Sequence, residues 1–236
     1  MNLLSIIVPV YNEEGSIGSL IQKLKKLDLS ISNFRKEIII VNDGSTDRSA
    51  SIIESFDEIV IKNQDNQGKG SAVQNGIESA NGNYILIQDG DLEYNPDDII
   101  KMCNQLGSYE NMSIYGSRYK PFYLGLFPKF YNKQNISSYL ANIVFIFLFL
   151  IFYTRIVTDP LTGYKLYSKN FFKNNTIKSK GFEADHEITA KLIKQGFKII
   201  EVPIGYKPRN KLEGKKINFF DGIKALITII KYRFIN

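Results

Sequence analysis

One feature constrains the fold of this chain more than any other: short β-branched runs alternate with stretches of helical period. Leu4-Ser5-Ile6-Ile7-Val8, Glu37-Ile38-Ile39-Ile40-Val41, Glu58-Ile59-Val60-Ile61 and Asn83-Tyr84-Ile85-Leu86-Ile87 are such runs. Apolar runs of this length, without polar alternation, read as strands buried on both faces. Between the first two, Ile17, Leu20, Ile21, Leu24 and Leu27 recur on one helical face. Ser71–Ala80 and a helix from Pro96 fill the later intervals, Pro being suited to a first helical turn. Met112–Tyr115 is a further strand. The alternation predicts an α/β fold, a Rossmann-like, mostly parallel sheet with helices on both faces. The first strand is expected to stop at Pro9.

Polar motifs follow the strands. They are Pro9–Glu13, Asn42–Asp47 and Gln88-Asp89-Gly90-Asp91-Leu92-Glu93. The edge of the sheet they share is where nucleotide-type ligands bind in such folds. Asp89, Asp91 and Glu93 stand at every second position, and on an extended segment they point to one side. Like charges crowded in a half-buried place are costly unless a cation joins them. An all-oxygen donor set favours Mg2+ or Mn2+, with coordination positions left for phosphate oxygens. A solvated acidic turn is the bland alternative, and the position at the end of a buried strand argues against it. Asp43 either caps its own turn or meets a ligand. Gly68 and Gly70 are read as permitting close helix packing rather than cradling a phosphate.

The net charge of +6 hides an asymmetry. Residues 1–117 hold 9 Lys/Arg and 17 Asp/Glu, and residues 118–236 hold 21 and 7, so the halves carry −8 and +14. A polyanion or an anionic surface is therefore expected against the second half. No nucleic-acid module is recognisable, and nucleic acid is not expected as a partner. The single Cys103 excludes an internal disulfide and a zinc cluster and points to a reducing compartment. Met1–Ser5 leads straight into a strand, so no signal peptide is expected.

In the second half, residues 119–135 are aromatic and basic and read as a mobile loop. Ile143–Tyr153 is an apolar run of eleven residues. A bilayer span needs roughly 20, so the run is a core helix or one lying partly in a membrane interface. Strands are expected at Tyr164–Tyr167 and Phe197–Val202, and helices at Phe182–Gln195 and Phe219–Phe234. The last is amphipathic, with Ile223, Leu226, Ile227 and Ile230 near Lys224, Lys231 and Arg233. Arg209, Lys211, Lys215 and Lys216 crowd one loop, with Gly214 as a hinge candidate. His186, the only histidine, reads as a polar surface or site-wall residue rather than a ligand.

Taken together, Ser5–Glu14, Val41-Asn42-Asp43-Gly44-Ser45-Thr46-Asp47 and Asp89-Gly90-Asp91 resemble the inverting A-fold nucleotide-sugar glycosyltransferases of family 2. Gly116-Ser117-Arg118, Asp159-Pro160-Leu161-Thr162-Gly163-Tyr164-Lys165, Tyr206-Lys207-Pro208-Arg209 and Glu213-Gly214-Lys215-Lys216 resemble the dolichyl-phosphate mannose synthase branch. The resemblance covers nearly the whole chain and implies one glycosyltransferase domain over 1–236. Residues 1–117 would bind the nucleotide-sugar and 118–236 the acceptor, with membrane-proximal amphipathic helices. It further implies sugar transfer to a polyprenyl phosphate, Mg2+ or Mn2+ as cofactor, and a peripheral place on the cytoplasmic face of a membrane. Residue by residue, Pro9, Tyr11, Glu13 and Asp43 would hold base and ribose. Asp89, with Gly90 beside it, and Asp91 would hold the metal on the diphosphate, and Glu93 stands where the family often has Gln. Arg118, Arg209 and either Lys215 or Lys216 would meet phosphates. Lys133, Ser138 and Asn142 are the nearest matches to the family's acceptor residues. Asp185 or Glu183 lies where relatives with hydroxyl acceptors place a base.

Three rivals remain open on sequence grounds. One keeps the donor half but transfers to a saccharide hydroxyl. Another is a nucleotidyltransferase or dinucleotide-binding enzyme on a similar sheet, disfavoured because Pro9–Glu13 is not a glycine-rich phosphate loop. The last is a catalytically silent binding protein, against which Asp89, Asp91 and Arg118 all stand.

Overall fold

The computed structural model describes residues 1–106, 111–120, 136–209, 214, 216 and 218–235. Among these, seven strands form one sheet in the order β3-β2-β1-β4-β6-β5-β7. They are β1 (Asn2–Val10), β2 (Phe34–Asp43), β3 (Val60–Gln64), β4 (Tyr84–Ile87), β5 (Met112–Ser117), β6 (Lys165–Ser168) and β7 (Lys198–Pro203). Pairing is parallel for β1 with β2 and β4, for β2 with β3, and for β5 with β7. Strand β6 alone runs against its neighbours, β4 and β5. The expected mostly parallel sheet is therefore present, with one reversed strand inside it.

Strand β1 does not stop at Pro9. Its register with β2 runs through Pro9↔Val41 to Val10↔Asn42. Proline lacks only the N–H, so the extended backbone can continue through it. Alternate β1 residues serve two cores, as a period of two requires. Leu4, Ile6 and Val8 pack with Ile17, Leu20, Ile21 and Leu24 of α1 (Ile17–Lys26) and with Ile99 and Met102 of α4 (Asp98–Cys103). Ile7 faces the other way, toward Ala72, Val73 and Ile77 of α3 (Lys69–Ser79). The short α2 (Ser49–Glu54) links β2 to β3. Each fully buried Ile or Leu contributes about 1.5–3 kcal/mol through the water it sheds, so these two layers dominate the stability of the sheet.

A third cluster lies beyond the sheet. It joins α5 (Ile136–Tyr153), α7 (Ala184–Lys194) and α8 (Phe219–Phe234), with the short α6 (Lys169–Lys173) following β6. Phe145, Phe149 and Tyr153 of α5 meet Ala190 of α7 and Ala225, Ile229 and Tyr232 of α8. The apolar run Ile143–Tyr153 is helical throughout. One stripe is core, while Leu140, Val144, Phe147 and Ile151 are exposed. Helix α8 likewise exposes Phe219, Phe220, Ile227 and Phe234. Its start is fixed by a capping box, in which Asn218 accepts from Phe220 and Asp221 and the Asp221 side chain accepts from the Asn218 N–H. No helix among the described residues is long and apolar enough to cross a membrane. The expected loop at 119–135 lies outside the described residues from 121 onward.

Candidate active site

The polar ends of β1, β2 and β4 meet at one edge of the sheet. Two loops are laced there. Asn12 Oδ1 accepts from the Thr46 N–H at 2.8 Å, and the Glu13 N–H donates to Ser49 Oγ at 2.8 Å. Asn12 holds a left-handed backbone at φ 50°, which asparagine tolerates better than most residues. Ser16 Oγ bridges the Glu13 carboxylate (3.1 Å) and the Gly90 carbonyl (2.8 Å), tying the β1 loop to the turn after β4. Asp43 is buried and braces the following turn rather than its own. Its carboxylate accepts from Gln64 Nε2 (2.7 Å), the Gln67 N–H (2.8 Å) and the Gly68 N–H (2.9 Å).

The segment Asp89–Glu93 is not extended, which corrects the expectation of three carboxylates pointing one way. Strand β4 ends at Ile87, Leu92 adopts φ 59°, and the Glu93 N–H folds back onto Asp91 Oδ1 at 3.1 Å. Lys69 holds Asp89, while Arg209 is shared by Asp91 and Glu93. Asp89 Oδ1 lies 2.7 Å from Lys69 Nζ, and Asp91 Oδ2 lies 2.9 Å from Arg209 Nη2. Glu93 accepts from the Arg209 N–H and from Tyr206 Oη, each at 2.7 Å. Among the described residues no three acidic, histidine or cysteine side chains converge on one point. Negative charge is nonetheless in excess. Burial, followed by the charges of Asp89 and Glu93, pushes the Asp91 carboxyl up to about 7. That donor set of carboxylate oxygens suits a hard divalent cation, which would relieve the repulsion.

The basic residues expected on phosphates rest on these carboxylates. Arg209 reaches Glu13 through Nη1 (2.8 Å) and Nη2 (3.2 Å) as well as Asp91. Lys216 Nζ lies 2.5 Å from Glu13 Oε1 and donates to the Tyr11 carbonyl, near the Tyr11 ring. Gly214 stands at φ 89°, in the left-handed region that glycine enters freely. Lys211, Glu213 and Lys215 lie outside the described residues, as does Lys133.

Arg118 is also engaged differently from the expectation. Its fork is taken by the fully buried Asp159, with Nε at 2.8 Å and Nη2 at 2.7 Å. The guanidinium lies 4.9 Å from the Tyr206 ring centroid. Tyr206 tilts against Tyr94, which stacks on Tyr164 at 5.0 Å. Tyr94 Oη accepts from the Gly163 N–H at 3.1 Å. The Glu201 carboxylate caps the same turn, accepting from the Thr158 and Asp159 N–H groups. Asn142, an expected acceptor residue, donates to the Thr158 carbonyl at 2.8 Å and leaves its own Oδ1 buried without a partner. Ser138 lies one turn before it on α5.

Asp185 sits at the start of α7 between two lysines that sequence reasoning passed over. Lys69 Nζ lies 3.4 Å from its Oδ2, and the fully buried Lys165 donates to its backbone carbonyl at 3.2 Å. Burial opposes the Asp185 charge, but Lys69 and Lys165 overcome it and hold the carboxyl below its ordinary value. Burial pulls Lys165 down to about 8. Glu183 accepts from the Gly181 N–H, and its Oε2 has no partner. His186 is not at the surface. It is buried 5.1 Å from the Phe145 ring, with neither ring nitrogen hydrogen-bonded. The sequence held one cue to Lys69, a lysine with glycine on both sides.

Residues 5–175 match the profile of Glycosyl transferase family 2. The chain belongs to glycosyltransferase family 2. This family 2 enzyme is 29% identical to the dolichol-phosphate mannosyltransferase of Pyrococcus furiosus, over 97% of its own length and 64% of the relative's. It is 35% identical to the dodecaprenyl-phosphate galacturonate synthase of Rhizobium johnstonii, over 59% of its own length and 41% of the relative's. The chain therefore spans less than two thirds of either relative. Its fold superposes on the glucosyl-3-phosphoglycerate synthase of Mycobacterium tuberculosis crystallised with Mn2+, uridine diphosphate and phosphoglyceric acid. The TM-score is 0.70 at 16% identity, covering 100% of this chain and 80% of that one. The glycosyltransferase A-fold expected from the resemblance is the fold observed. Membership in a glycosyltransferase family sets aside the nucleotidyltransferase and silent-binder rivals.

Proposed function

We propose that this glycosyltransferase moves a sugar, with inversion, from a nucleotide-diphosphate-sugar to a polyprenyl phosphate, and that 1–236 acts as one unit. In it, 1–117 serves the donor and 118–236 the acceptor. The observation that carries the acceptor is the state of Asp185. A general base works best with a pKa near the working pH, whereas Lys69 Nζ at 3.4 Å and the nearby charge of Lys165 shift the Asp185 carboxyl below its ordinary value. A phosphate nucleophile is already ionised near neutral pH and asks for placement more than deprotonation. A saccharide hydroxyl would need the base that Asp185 is poorly tuned to be. Relatives named for dolichol phosphate and dodecaprenyl phosphate support the same acceptor class.

Glu13 and the β1 and β2 loops are suited to hold the nucleoside, with Pro9, Tyr11 and Asp43 shaping that wall. Asp89, Asp91 and Glu93 would hold Mg2+ or Mn2+. When bound, such an ion offsets the negative charge that develops on the departing nucleoside diphosphate. Arg209 and Lys216, now on Glu13 and Asp91, are cations suited to meet that diphosphate. The Asp159 ion pair keeps Arg118 as part of the site wall. The exposed faces of α5 and α8, with Lys224, Lys231 and Arg233 on α8, suit peripheral attachment to the cytoplasmic face of a membrane. A panel of nucleotide-sugars offered with a polyprenyl phosphate or with saccharides tests the proposal. Transfer to the lipid phosphate is expected; transfer only to a saccharide, abolished by Asp185→Asn, would overturn it.

A further inference from the structure

Lys69 bridges two carboxylates that stand on different elements. Its Nζ lies 2.7 Å from Asp89 Oδ1, on the donor side after β4, and 3.4 Å from Asp185 Oδ2, on the acceptor side at α7. The Lys69 side chain is 13% exposed, and Asp89 and Asp185 are 23% and 13% exposed. Three glycines make room for it. A Cβ on Gly68 would lie 2.5 Å from the Lys180 carbonyl oxygen, and one on Gly70 would lie 2.2 Å from that of Ser179. The first turn of α3 is therefore pressed onto residues 179–181, where the Lys180 carbonyl accepts from the Gly70 N–H at 2.7 Å. That contact occupies the helix start and leaves Lys69 as the side chain projecting from it into the site. Across the site, a Cβ on Gly163 would lie 2.7 Å from Asp89 Oδ2 and 3.2 Å from Lys69 Nζ. The Phe182 ring lies beneath the ammonium, 5.8 Å from Nζ to its centroid.

We propose that Lys69 is a positioning residue for sugar transfer. By bonding Asp89 and Asp185 at once, it fixes the donor wall and the acceptor wall at one separation. The inference rests on the transferase function proposed above. Neither carboxylate has another cation as close in the described structure, and they sit on different elements, one after a strand and one on a helix. Without the ammonium, two partly buried carboxylates on different elements would lose the cation they share, and their like charges would favour separation. Inline displacement is intolerant of such slack, since misplacement by about 1 Å costs about 100-fold in rate. A purely structural ion pair would instead be felt in stability.

The test compares wild type with Lys69→Met, Lys69→Arg and Gly163→Ala. The acceptor panel is run first on wild type, and kinetics are then taken on whichever acceptor it uses, so an error in the acceptor class shows up separately. Lys69→Met should lower kcat by about 100-fold while leaving the donor KM and the affinity for nucleoside diphosphate with Mn2+, by calorimetry, within about threefold. Lys69→Arg should recover about a tenth of the rate or more, because it keeps the charge but not the compact geometry. Gly163→Ala keeps every charge yet wedges the pair apart, and should repeat the loss. The proposal is overturned if Lys69→Met keeps its kcat, or if the loss appears only in KM and nucleotide affinity. A Lys69→Met protein that does not fold, beside a Gly163→Ala protein of normal kcat, overturns it equally.

Discussion

Asp159 grips Arg118 three times, through the Arg118 backbone N–H at 2.9 Å, Nε at 2.8 Å and Nη2 at 2.7 Å. The carboxylate is fully buried and the guanidinium side chain is 13% exposed. Removing one member leaves the other as an uncompensated buried charge, which costs about 3–5 kcal/mol. Asp159→Ala should therefore lower the urea midpoint by that equivalent. The double variant Arg118→Met with Asp159→Leu should lose clearly less, because no orphaned charge remains. Equal losses in the single and double variants would show that packing, not charge, is at stake.

His186 provides a pH dependence. Burial, followed by the nearby charge of Lys165, pushes its imidazole down to about 3. Asp185 favours the charged form, while Lys69 opposes it. The unfolded chain takes up the proton near pH 6.5, whereas the folded chain does so only near pH 3. Stability is thus fully present above the unfolded value and falls as pH drops through that window, by at most about 1.4 kcal/mol per unit. His186→Phe should flatten this part of the acid limb in urea titrations at pH 4 to 7. It should also cost little at pH 7, since neither ring nitrogen has a partner to lose.

Arg209 stands among carboxylates that a divalent ion would share. Arg209→Met removes a competing cation, so the donor-free protein should bind Mn2+ about tenfold more tightly, a gain of about 1.4 kcal/mol. Sugar transfer should fall in the same variant, because the cation proposed to meet the diphosphate is lost. Calorimetry with Mn2+ alone is the check. Weaker Mn2+ binding would mean that Arg209 orders the site rather than competes for it.

The outer faces of α5 and α8 should behave as one surface. Phe147→Asp combined with Phe219→Asp should reduce cosedimentation with anionic vesicles at low salt without changing the thermal midpoint, since both rings are more than half exposed. High salt should weaken the wild-type protein's binding. Unchanged binding in the double variant would place the contact elsewhere.

Much of the fold was legible because apolar period reports burial directly. The bounds of α8 match the sequence expectation, since a capping residue at Asn218 opens the helix. Strand β1 was read two residues short because Pro9 signals a break, yet the register with β2 runs through it. The carboxylates of the site were visible as residues, but their arrangement was not. Asp89 is set by Lys69, twenty positions earlier, and Asp91 by Arg209, which is 118 positions later. No local pattern encodes partners at such separations. Leu92 gave no warning of its left-handed backbone, because leucine rarely adopts one. The pairing of Arg118 with Asp159, 41 positions away, was hidden for the same reason.

The reversed strand β6 sets an order of assembly during synthesis. Strands β1 to β4 can pair with one another as they emerge, because each finds a neighbour already made. Strand β5 cannot, since its two neighbours, β6 and β7, both come later. Until Lys165–Ser168 has left the ribosome, β4 presents a bare edge and β5 has nowhere to go. At about 5–20 residues per second, the half that holds β1 to β4 waits seconds for its counterpart. A nascent chain paused in that interval exposes an unpaired strand edge, the feature most prone to association with other chains.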